Sequence, residues 1–79
     1  MLQTVSPTAL ALTAQRLRDR CQLLAARGLG DAVKAVIQDD LAQIAQRAQL
    51  MHCPSATAVQ MLDASVALME ARMTLERIA

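Results

Sequence analysis

Three breaks leave this chain little choice of fold: V-S-P at residues 5–7, R-G-L-G at 27–30 and C-P-S at 53–55. The stretches that follow each break contain neither glycine nor proline. Ser6 is placed to cap a helix whose first residue is Pro7, and Val5 and Leu10 stand at the spacing of a hydrophobic staple. At R-G-L-G, Gly28 suits the left-handed position beyond a helix end, with Leu29 folding back on Leu24 as in a Schellman motif. Asp31 is expected to cap the second helix and to set a negative charge against its positive end. Pro54 disfavours helical geometry at Cys53, and Ser55 is expected to cap the third helix. The punctuation predicts helices over about 7–27, 31–52 and 55–78, joined by loops of a few residues. Helices of similar length joined so tightly pack as antiparallel neighbours, so residues 1–79 read as one all-α domain, an antiparallel three-helix bundle.

Periodicity agrees. Leu10, Ala14, Leu17, Cys21 and Leu24 step by four and three along one face of helix 1. Ile37, Leu41, Ile44, Ala48 and Met51 do the same in helix 2, and Ala14 and Ala48 let backbones approach. The difficulty is volume. Of 79 residues 54% are apolar, yet 16 are alanine and none is aromatic. A chain this short hides only about 60% of its unfolded surface, so a core of small side chains is marginal unless association adds area.

Helix 3 carries more oil than one face needs. Val59, Leu62, Val66, Met69 and Met73 form one seam, and Met61, Ala64, Leu68, Ala71, Leu75 and Ile78 form another. Each fills an arc of about 80–100° on the helical wheel, with polar residues between them. Both could face the two neighbouring helices of the bundle. Helices 1 and 2 occupy the same bundle with one main seam each, however, and a long apolar strip in water is a binding surface or an aggregation hazard. One seam is therefore expected to meet the bundle and one a partner. The second, Met61 to Ile78, is expected to be the outward one, because alternating small and large residues suit close helix contact.

Other chemistry is sparse. Arg16, Arg20 and Arg27 fall on one face of helix 1 and form a possible anion-binding stripe, the basis of an alternative role in contacting nucleic acid. Antiparallel pairing also sets Arg20 level with Asp39 and Asp40, so part of that charge is expected in an interhelical ion pair. Without aromatic residues there is no platform on which bases could stack. His52 and Cys53 adjoin, but no other histidine exists and Cys21 lies about 22 Å away along the hairpin. No metal site, disulfide or cofactor is expected. Cys21 reads as a small core residue and Cys53 as an exposed thiol. No catalytic residues are assigned; a weaker alternative casts Arg16, Arg20 and Asp39 as an anionic-substrate site of a small helical enzyme.

No run approaches the ~20 apolar residues of a membrane span, and two cysteines do not make a secreted disulfide framework. A cytoplasmic location is the expectation. In size, short loops and two-sided helices the chain resembles small bacterial helical adaptors, such as secretion co-chaperones, and small helical phage or bacterial inhibitors. That resemblance is architectural and transfers no residue. It implies what the second seam implies: a non-enzymatic module that binds a protein partner or itself, most simply as a dimer.

Overall fold

The computed structural model describes residues 2–78. In chain order the elements are β1 (Gln3–Thr4), α1 (Pro7–Ala25), α2 (Asp31–Ala48), β2 (Met51–His52) and α3 (Ala58–Ile78). The protein is mostly helical, and α1 packs on both α2 and α3 while α2 packs on α3. The molecule measures 40 × 24 × 18 Å.

α1 begins as its sequence requires: Pro7 is in the first turn and the Ala9 N–H donates to Ser6 Oγ at 3.2 Å. It stops at Ala25, two residues short of the expected end, because Ala26 is already extended (φ −68°, ψ 146°). Leu24 is the last residue of α1 to pack on the core, and Ala25, Ala26 and Arg27 are exposed, so further turns would bury nothing. Gly28 does take the left-handed conformation (φ 84°), but in the turn after the helix rather than as its Schellman closure.

α2 differs at both ends. Gly30 is its N-cap and Asp31 its first helical residue, so Asp31 supplies charge to the first turn and no cap. The helix ends at Ala48, before the expected 52, because residues 51–52 are pulled out to pair with the N-terminal segment. Gln3 and Met51, and Thr4 and His52, are partners in a short parallel bridge. The Gln3 N–H donates to the Leu50 carbonyl at 2.7 Å and the Val5 N–H to that of His52 at 2.9 Å.

The start of α3 is a reciprocal capping box, T-A-V-Q, with Thr57 rather than Ser55 as its cap. The Gln60 N–H donates to Thr57 Oγ1 at 3.1 Å, and the Thr57 N–H donates to Gln60 Oε1 at 2.9 Å. Satisfying two orphan backbone donors outweighs one extra turn of helix. Thr57→Ala is expected to cost about 1 kcal/mol, seen as a lower midpoint in urea unfolding; an unchanged midpoint would remove the cap's role.

The core is built from Ala14 and Leu17 of α1, Leu41, Ile44 and Ala45 of α2, and Ala67 and Ala71 of α3. Four of these seven are alanines, so the helices close up on one another instead of being spaced by large side chains. Among the described residues only Leu17 and Leu41 are large and fully buried. Thr13 and Thr74 are buried too, and each hydroxyl donates to the carbonyl four residues back, Ala9 at 2.9 Å and Glu70 at 2.8 Å. Among the described residues no buried side-chain polar atom lacks a partner.

Candidate interaction surface

The two seams of α3 have opposite fates, and the sequence expectation of which faces outward is reversed. Ala64, Leu68, Ala71 and Leu75 pack into or against the core, with Ala71 fully buried. Only the ends of that seam, Met61 and Ile78, are exposed. The outward seam is the other one: Val59 is 77% exposed, Leu62 65%, Val66 38%, Met69 55% and Met73 54%.

The cause is the line Ala64, Ala67, Ala71 and Thr74, which runs at helical spacing beside Leu68 and Leu75. Small side chains there let the backbone of α3 approach its neighbours, as Ala14 and Ala45 do on the other helices. Ala67 and Thr74, both buried, belong to neither seam of the sequence reading. Counting them would have marked the Ala-rich face as the one prepared for close packing.

The outward stripe covers about 21 Å of helix at 1.5 Å per residue. From the fractional exposures it presents on the order of 500 Å² of apolar surface, toward the upper end of the patches that monomers leave in water. Its flanks hold Ser65, Arg72 and Glu76 on one side and Asp63, Glu70 and Arg77 on the other, all exposed. Exposed apolar side chains on α1 and α2, such as Leu12, Leu23, Val33 and Val36, form no comparable row of five.

The inner seam also leaves a gap near its start. A cleft of about 140 Å³ lies between Leu10, Ala14 and Leu17 of α1 and Met61, Ala64 and Leu68 of α3, with residues 51–53 along one side. Its lining is mainly apolar.

The arginine stripe is smaller than expected. Arg20 Nε lies 2.9 Å from Asp40 Oδ2, the interhelical pair that the register implied. Asp39 instead accepts from Gln43 Nε2 at 2.9 Å. Arg27 lies beyond the end of α1, so it no longer shares a helical face with Arg16 and Arg20. Among the described residues Arg16 and Arg27 have no acidic partner. A second ion pair, unforeseen, ties α1 to α3: Arg18 meets both carboxylate oxygens of Asp63, at 2.9 and 3.3 Å. Both pairs are partly exposed, so each contributes ~0–1 kcal/mol and serves mainly to hold register.

Cys21 is half-buried beside the core, as a small core residue would be. Cys53 is buried at 6% exposure, which corrects the expectation of an exposed thiol: it follows β2, which pairs with β1, and stands among the apolar residues of α1 and α3 that share its cleft. His52 next to it is exposed. Among the described residues no three His, Cys, Asp or Glu side chains gather as a metal site would need, and no helix is long and apolar enough to cross a membrane. Compared with known proteins, the chain matches no family model, no curated protein and no solved structure.

Proposed function

We propose that this protein is a non-enzymatic interaction module that binds a protein partner through Val59, Leu62, Val66, Met69 and Met73 of α3. One observation carries the reading: a continuous apolar row of five side chains faces water in a chain whose own core is small and alanine-rich. Covering the row would supply the apolar burial that a 79-residue domain otherwise lacks. Methionine at two of the five positions gives the surface shape tolerance.

In this reading successive helices run antiparallel. The Arg20–Asp40 pair supports it, as does the cleft where the first half of α1 meets Ala48 at the end of α2 and the first half of α3. The module then acts as a small adaptor, co-chaperone or inhibitor in the cytoplasm, and its two free cysteines fit a reducing compartment.

A photoreactive amino acid placed at Met69 tests the reading when the full chain is expressed in its own cells. Adducts to protein are expected from Met69 and not from the same group at Gln46, an exposed position on α2. No adduct at Met69, or equal labelling at both sites, would overturn it.

A further inference from the structure

We infer that the occupant of the outward stripe is a second copy of this chain, which lays its own α3 stripe against the first across a two-fold axis. The inference rests on the interaction reading above and names its partner. Three features of the stripe favour a copy of itself.

Spacing is the first. Val59, Leu62, Val66, Met69 and Met73 step by three, four, three and four, the seam of a left-handed helix pair. Valine at the first and third positions with leucine at the second is the pattern that favours two strands over three or four. A row of about two heptads is short for an isolated coiled coil. Here α3 is already held as a helix by α1 and α2, so the pairing bears no helix nucleation cost.

Area is the second. The stripe offers on the order of 500 Å² of apolar surface per copy, so two copies laid together approach the lower end of specific interfaces, at about 800 Å² per partner or somewhat less. The contact on both sides is a helix ridge, and ridges of side chains interlock with the grooves of a like helix. No deeper pocket on the partner is needed.

Charge is the third. Asp63 is occupied by Arg18, which leaves Glu70 and Glu76 against Arg72 and Arg77 along the stripe. This balance gives a strongly basic or acidic partner nothing to select, and an anionic lipid surface no basic face to hold. Two copies meet without net repulsion.

Sedimentation equilibrium of the full chain, from micromolar to near-millimolar, tests the inference alongside Leu62→Glu and Met69→Lys. The wild type is expected at twice its 8.5 kDa mass. Because the symmetry enters each change twice, either variant should weaken the dimer at least about 100-fold. Their far-UV circular dichroism should match the wild type, since both positions are more than half exposed in one chain. A wild type that stays monomeric throughout overturns the second copy as occupant. A dimer that survives both substitutions overturns the stripe as its contact. The crosslinking experiment separates this failure from that of the wider reading: adducts from Met69 to a different protein leave the interaction role standing, and no adduct removes both.

Discussion

Leu41→Ala is expected to remove about 2–5 kcal/mol of stability, the largest loss available from trimming one aliphatic side chain. Leu41 is fully buried, and among the described residues only Leu17 matches it in size and burial. Its neighbours in the core are mostly alanines, which have no length with which to reach into the vacated space, so the cavity persists. Small domains often hold only ~5 kcal/mol in total, and a change of this size consumes much of it. At roughly 4–8 °C per kcal/mol for a domain of this length, the melting temperature should fall by about 8–40 °C. Wild type and variant are to be compared at equal concentration by far-UV circular dichroism, because the proposed dimer would make the midpoint depend on concentration. Leu41→Met keeps most of the volume and should cost less than about 1.5 kcal/mol. Equal losses from both substitutions would mean that α2 is not held by its packing at this point.

How much of this arrangement can be read from residues alone depends on what kind of force each part uses. Ser6-Pro7 is readable because capping is local chemistry, and Gly28 because its left-handed backbone favours glycine. The core faces of α1 and α2 are readable from Leu17, Leu41 and Ile44, since burial imposes a helical period. Arg20–Asp40 follows from the register of a short loop. The pairing of Gln3–Thr4 with Met51–His52 is not readable in this way. Its bonds join main-chain atoms of segments far apart in sequence, and any residue but proline could make them. That pairing also accounts for the early end of α2, so one unreadable contact moved a boundary that had seemed local. For α3, periodicity reveals two apolar faces without saying which is inside. The answer lies in side-chain size, in the row of Ala64, Ala67, Ala71 and Thr74.

That assignment of inside and outside can be put to a direct contrast, Ala71→Glu against Leu62→Glu. Ala71 is fully buried in the wall between helices, with Ala67, Ala14 and Leu17 in the same cluster. A glutamate there must push the helices apart, at about 1–3 kcal/mol. It must also bring a carboxylate out of water with no cation on the inner face of α3 to receive it, at several kcal/mol more. Together these exceed what a domain of this size holds, so Ala71→Glu is expected to be unfolded. The same charge at Leu62, which is 65% exposed, should change the stability of the single chain by no more than about 0.5 kcal/mol. Helical content by circular dichroism and the dispersion of amide signals in a proton–nitrogen NMR spectrum report both outcomes. The contrast does not depend on whether the protein dimerises, provided that Leu62→Glu is compared with wild type below the dimer's dissociation range. A folded Ala71→Glu beside an unfolded Leu62→Glu would show that α3 is turned about its axis by half a revolution. The apolar row offered to a partner would then be Met61 to Ile78, and the alanine line would be the exposed one.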